Sequence, residues 1–221
     1  MNEEERIIKG AEDYVKVYLN GKESGHSWWH IYRVRNTANY IYSVEKTGDP
    51  FIIELGALLH DVGDSKIDGF SSGPALVTDL LKGLGARNDV VDQVVHILNF
   101  ISFRDSYDIC SERSDELNIV QDADRLDAIG AIGIARAFSY GGSKGREIYI
   151  PGELPLAHSS GEEYRKSESS TINHFHEKLL RLKEMMNTET GYRLADERHR
   201  FMEKFLEQFF AEHEIVKQDI K

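Results

Sequence analysis

Residues 49–63 read DPFIIELGALLHDVG. Asp49-Pro50 is a helix start: the aspartate side chain can accept from a first-turn amide, and proline at the first helical position sacrifices no hydrogen bond. From Phe51 to His60 the segment is apolar on most sides, which predicts a buried helix rather than a surface one. Val62-Gly63 ends it. His60-Asp61, at its end, lies where an unpaired carboxylate would be costly. An adjacent imidazole and carboxylate suit a hard or borderline metal ion. Two polar residues can also simply end a helix.

Helical periodicity continues on both sides. Ile7, Ile8, Ala11, Val15, Tyr18 and Leu19 form one stripe closed by Gly21. A second helix is expected from about Trp28 to Val44, with His30, Val34, Thr37 and Ile41 on one face. After Ser71-Ser72-Gly73-Pro74 a short helix runs to about Leu84, and Asn88 reads as the cap of the next, which carries Val91, Val94, Val95, Leu98 and Ile101. Leu117 to Ala128 reads as a buried helix despite its acids. Gly130 to Phe138 reads as its continuation, with small residues that allow close helix approach.

The pattern breaks at 141–160, where six glycines and prolines precede Leu156. A long irregular loop is expected there, with Ile148-Tyr149-Ile150 a candidate for a minor strand near 147–151. Such loops inside compact domains are often lids or binding loops. Two charged amphipathic helices, about Ser167–Asn187 and Ala195–Glu212, follow. The expectation is an all-α, single-domain chain over 1–221: a ligand-bearing core at about 25–140, the loop at 141–160, and a C-terminal helical pair at 165–213.

A net charge of −11 argues against a general grip on nucleic acid, which needs a basic surface. It allows a small anionic substrate, because a metal and a few local cations can reverse the field in one cleft. Cys110 is the single cysteine, so an intramolecular disulfide and a Cys-rich zinc site are both excluded. The N-terminal residues are acidic and lack the apolar region of a signal peptide, and no apolar run approaches the roughly 18–20 residues that span a bilayer. A cytoplasmic protein without membrane association is expected.

Val120-Gln121-Asp122-Ala123-Asp124-Arg125-Leu126-Asp127-Ala128 places three carboxylates in a core-like helix. Asp124 and Asp127 share a face; Asp122 points elsewhere. At least one must meet a cation, either Arg125 or a metal. His30 lies on the apolar side of its own helix, where a lone histidine is ordinarily a satisfied core residue. The loop Gly141-Gly142-Ser143-Lys144-Gly145-Arg146 lacks the Walker A spacing, and reads as a basic lid or a flexible surface loop.

Taken in order, His30, then His60-Asp61, then Asp124 in Ala123-Asp124-Arg125-Leu126 resemble the H…HD…D signature of the HD-domain phosphohydrolases. The flanks His30-Ile31-Tyr32-Arg33-Val34 and Leu58-Leu59-His60-Asp61-Val62-Gly63-Asp64 fit that pattern. The chain further resembles a bacterial subfamily of small HD proteins, the deoxynucleoside triphosphate pyrophosphohydrolases. That likeness is carried by Gly25-His26-Ser27-Trp28-Trp29-His30, by Asp122 to Phe138, and by Thr171-Ile172-Asn173-His174-Phe175 through Leu179-Leu180. Ser27 departs from it, standing where relatives commonly carry Asp, outside the four-ligand pattern.

The resemblance implies a helical HD fold in which His30, His60, Asp61 and Asp124 hold one divalent ion, Mn²⁺ or Mg²⁺ foremost, with Fe²⁺, Co²⁺ and Ni²⁺ compatible. A second ion would need another histidine, and His96 is the candidate. Asp64 is the candidate catalytic acid/base or water-orienting group, or else a cap for the turn after Gly63. Candidate substrate contacts are Arg33, Lys66, His96, Arg125, Lys144, Arg146, His174 and Lys178; each also has a surface or ion-pair reading. The implied activity is hydrolysis of a nucleotide-like phosphate ester or anhydride, with pyrophosphate released from (deoxy)nucleoside triphosphates. The alternatives are 5′-nucleotidase or phosphodiesterase chemistry at the same site, and a non-catalytic nucleotide-binding sensor. A small-molecule nucleotide is the expected partner, and a homo-oligomer is compatible with the sequence.

Overall fold

The computed structural model describes residues 1–21, 27–63, 73–101, 113–156 and 169–218. Among these residues the chain forms α1 (Glu3–Tyr18), α2 (Trp28–Glu45), α3 (Pro50–Leu59), α4 (Gly73–Gly83), α5 (Asn88–Phe100), α6 (Asp115–Asp127), α7 (Gly130–Ser143), α8 (Thr171–Glu177), a 3-10 helix (Leu179–Met185) and α9 (Glu189–Gln218). The fold is all-α, and no described residue is in a strand. No described helix is long and apolar enough to cross a membrane.

α3 is the centre of the molecule, as its apolar sequence requires. It packs against α1, α2, α5 and α6, and every residue from Phe51 to Leu59 except Glu54 is buried. Asp49 caps it by accepting from the Phe51 amide at 2.8 Å, and Pro50 takes the first position. Glu54 is held by Arg35 of α2, whose guanidinium also reaches Glu12 of α1 at 2.9 Å. Gly56 sets the distance to α5: a β-carbon there would stand 2.7 Å from Cδ1 of Ile97.

α2, α3 and α6 pack pairwise against one another. The start of α2, the end of α3 and the last turn of α6 therefore meet. The turn after α3 is pinned by Gly63, at φ +69°, whose amide donates to the Tyr18 hydroxyl at 2.8 Å. On the far side of α7 a cluster of Phe138, Phe175 and Phe205, with centroids 5.8 to 5.9 Å apart, joins α7, α8 and α9.

Several boundaries differ from the sequence reading, each for a local reason. Gly130–Phe138 does not continue α6. The chain breaks at Ala128-Ile129, Gly130 takes φ +74°, and Arg198 of α9 fills the helix end by donating to the Leu126 carbonyl. α7 then runs on through Gly141-Gly142 to Ser143, so the irregular segment starts later than 141. Gly141 is there for contact: a β-carbon would sit 2.3 Å from the Thr171 hydroxyl. The minor strand expected near 147–151 does not form, because the carbonyls of Glu147 and Ile148 accept the Thr171 and Ile172 amides at 2.9 and 3.0 Å. They cap a helix instead of pairing with a strand.

The expected C-terminal pair is α8, the 3-10 helix and one long helix, α9. The turn before α9 is drawn inward by Asp122, whose carboxylate accepts from the amides of Asn187 (2.9 Å) and Thr188 (2.8 Å) and from the Thr188 hydroxyl at 2.8 Å. Asn88 is the first residue of α5 rather than its cap; Arg87 holds that position without a side-chain hydrogen bond.

Candidate metal centre

Four side chains from three helices converge. His30 is the third residue of α2, His60 and Asp61 follow the last turn of α3, and Asp124 lies in the last turn of α6. The Nε2 atoms of His30 and His60 are 3.2 Å apart. One oxygen of Asp124 stands 3.4 Å from His30 Nε2 and 3.8 Å from His60 Nε2. Asp61 presents one oxygen to each imidazole, 3.5 Å from His30 Nε2 and 3.5 Å from His60 Nε2. Donor atoms of His30, His60 and Asp124 all lie within 4.8 Å of one another.

The outward nitrogens define what the inward ones are. His60 Nδ1 lies 2.9 Å from the main-chain carbonyl of Ala57, which can only accept, so Nδ1 carries the proton. His30 Nδ1 lies 2.7 Å from Asp127. Burial alone would raise the Asp127 pKa, but hydrogen bonds from His30 and Arg33 and the charge of Arg136 hold it well below the usual carboxylate range. An ionised carboxylate also only accepts, so His30 likewise donates through Nδ1. Burial pushes the His30 pKa down and keeps its ring neutral. With Nδ1 of each ring turned onto an acceptor, the two Nε2 atoms face each other with two carboxylates alongside.

Such a group of donors repels itself unless a cation sits among them. Ligand atoms about 2.1 Å from one ion in tetrahedral or octahedral geometry are separated by roughly 3.0–3.4 Å. The separations here, 3.2 to 3.8 Å, lie at or just above that range, and the mixed nitrogen and oxygen set suits a divalent ion of hard or borderline character. Side-chain exposure is 2% for His30, 3% for His60 and 8% for Asp61, but 37% for Asp124. Asp124 is the one half-buried member; the other three are buried.

The remaining predicted residues are distributed unevenly. Arg33 pairs with Asp127 through Nε at 2.6 Å and Nη2 at 3.0 Å, one turn from His30. Arg125 is buried, and its guanidinium donates to the Met185 carbonyl, which ties α6 to the 3-10 helix. Burial lowers its pKa to about 10. His96 lies on α5 with its ring 4.8 Å from that of Phe100, outside the donor group. Lys144 and Arg146 flank the Tyr140 ring, each 5.7 Å from its centroid. Burial, with the charges of Lys178 and Arg146, lowers the His174 pKa to about 3, which puts these three residues in one electrostatic neighbourhood. Asp64 and Lys66 lie outside the described residues, as does Cys110. Of the tryptophan pair, Trp28 packs against the core and Trp29 is exposed.

Two supporting residues were not singled out from the sequence. Asp127 was noted only for sharing a face with Asp124. Arg136 of α7 donates both to the Asp127 carboxylate and to its main-chain carbonyl. Its one sequence signal is that it is the lone charge in Gly130–Phe138.

The HD domain family model matches residues 28–129, the span that contains all four converging side chains. The YpgQ protein of Bacillus subtilis (strain 168) is 44% identical over 206 residues, covering 91% of this chain and 92% of that one. Its crystal structure in complex with ADP superposes with a TM-score of 0.77 at 37% identity, covering 96% of this chain and 97% of that one. A Lactobacillus plantarum protein superposes with a TM-score of 0.84 at 36% identity over 93% of this chain and 96% of that one. An HD-superfamily hydrolase from Bacillus thuringiensis gives 0.76 at 40% identity over 96% and 99%. With its matched segment, near full-length relatives and converging His-His-Asp-Asp group, this chain belongs to the HD-domain family.

Proposed function

We propose that this protein is a metal-dependent phosphohydrolase that acts on a nucleotide and releases pyrophosphate from (deoxy)nucleoside triphosphates. The observation that carries the reading is the pair of Nε2 atoms 3.2 Å apart with two carboxylates beside them. His30, His60, Asp61 and Asp124 would hold one divalent ion, with Mn²⁺ or Mg²⁺ the first candidates. When bound, the ion supplies a Lewis acid for a phosphoryl oxygen and lowers the pKa of water. The ADP complex of the relative YpgQ supports a nucleotide as the ligand class.

The chain's own residues account for the rest. Asp64, three residues after Asp61, takes a proton from the attacking water as general base. The water oxygen bonds to the α-phosphorus, the bond to the β-phosphate bridge breaks, and pyrophosphate leaves with that electron pair. Lys66, Lys144, Arg146 and Lys178 would supply positive charge to an anionic tail on a chain whose net charge is −11. The partly exposed Asp124 marks the side from which substrate reaches the centre.

The test is a nucleotide panel assayed with Mn²⁺, with orthophosphate resolved from pyrophosphate and Asp61→Ala as control. Pyrophosphate and a monophosphate are expected from triphosphates, and the control should be inactive. Orthophosphate from monophosphates would make it a 5′-nucleotidase. Tight nucleotide binding without turnover would make it a sensor.

A further inference from the structure

We infer that Asp127 is a positioning residue that sets the strength of His30 as a metal donor, with Arg33 and Arg136 fixing Asp127 in turn. The inference rests on the metal reading above. Asp127 is one turn beyond Asp124 on α6 and 5% exposed, and its carboxylate is used up by other partners. His30 donates to one oxygen at 2.7 Å. Arg33 donates to both oxygens, at 2.6 and 3.0 Å, and Arg136 reaches the oxygen that His30 uses. Arg136 also donates to the main-chain carbonyl of Asp127 at 3.1 Å, so the backbone is held as well as the side chain.

The donors come from two helices, α2 and α7. They leave the carboxylate one position. An ionised acceptor on Nδ1 fixes the ring tautomer, aims Nε2 at the centre and makes that nitrogen more basic. The two histidines are unequal in this respect. His60 Nδ1 meets the neutral main-chain carbonyl of Ala57 at 2.9 Å. His30 Nδ1 meets a carboxylate, at 2.7 Å.

A purely structural salt bridge between α2, α6 and α7 would give different results from a positioning device. The experiment compares the full chain with Asp127→Ala, which removes acceptor and charge, and Asp127→Asn, which keeps an acceptor oxygen without the charge. Mn²⁺ affinity is measured by calorimetry, His30 tautomer by ¹⁵N NMR of the metal-free protein, and folding by thermal melts. In Asp127→Ala the Mn²⁺ affinity should fall about 10–100-fold, and the Nδ1-protonated form of His30 should lose its dominance. Asp127→Asn should keep the tautomer and show a smaller loss, above about twofold. Wild-type Mn²⁺ affinity together with an unchanged tautomer in folded Asp127→Ala would overturn the inference. If Asp127→Ala does not fold, wild-type affinity in Asp127→Asn would do so. If the wild-type chain binds no Mn²⁺, the metal reading falls, while the tautomer still decides whether Asp127 orients His30.

Discussion

His30 and His60 enter from different helices, yet their Nε2 atoms stand 3.2 Å apart while each Nδ1 is turned outward onto an acceptor. Ring nitrogens held this way beside two carboxylates gain from a cation. Cation binding to the folded chain must therefore stabilise it. With free Mn²⁺ at 100 times its dissociation constant the gain is about 2.7 kcal/mol. Thermal melts of metal-stripped protein should rise on adding Mn²⁺, and the rise should vanish in His60→Ala. An equal rise in both proteins would count against the shared site.

Replacing Asp64 by Asn separates proton transfer from metal binding. Loss of a positioned general base typically lowers the rate about 10²–10⁴-fold. Turnover of Asp64→Asn should fall in that range, while Mn²⁺ affinity measured by calorimetry stays near wild type. A variant with normal kcat would remove Asp64 from the reaction.

Asp122, two residues before Asp124, should behave in the opposite way. It is fully buried and holds the turn at Asn187-Thr188. Asp122→Ala leaves those donors without their acceptor, at a cost of roughly 2–3 kcal/mol. Denaturant unfolding should register that loss, with Mn²⁺ affinity little changed. A large drop in affinity at unchanged stability would show that Asp122 serves the centre.

His174 gives a pH dependence. Burial, with Lys178 and Arg146 nearby, lowers its pKa from 6.5 to about 3 in the folded chain. Below 6.5 the unfolded chain binds a proton that the folded chain refuses, so the unfolded state gains as pH falls. Stability linked to this group is complete above pH 6.5 and drains as pH drops toward 3, by at most about 1.4 kcal/mol per pH unit. Melts of His174→Gln over about pH 7 to 5 should decline less steeply than wild type. Parallel curves would refute the assignment.

What the sequence made legible was local. Asp49-Pro50 marks a helix start through chemistry confined to three residues, and the apolar run to Leu59 announces its own burial. The His60-Asp61 pair stands out because charge at the end of such a helix needs compensation. His30 and Asp124 were reached only through family likeness, since each alone fits an ordinary core or ion-pair role. The rest depended on contacts between distant segments. Gly141-Gly142 looked like a helix breaker, but there a missing side chain admits Thr171. Arg125 is adjacent to Asp124 in sequence, but its guanidinium donates to the Met185 carbonyl. Arg136 finds Asp127 across a helix break that periodicity had read as continuous.

The most direct measurement is a crystal structure of the Mn²⁺-loaded protein with anomalous data collected at the manganese edge. The account predicts one peak about 2.0–2.2 Å from Nε2 of His30, Nε2 of His60 and carboxylate oxygens of Asp61 and Asp124. A peak elsewhere, or none there at saturating Mn²⁺, would contradict it.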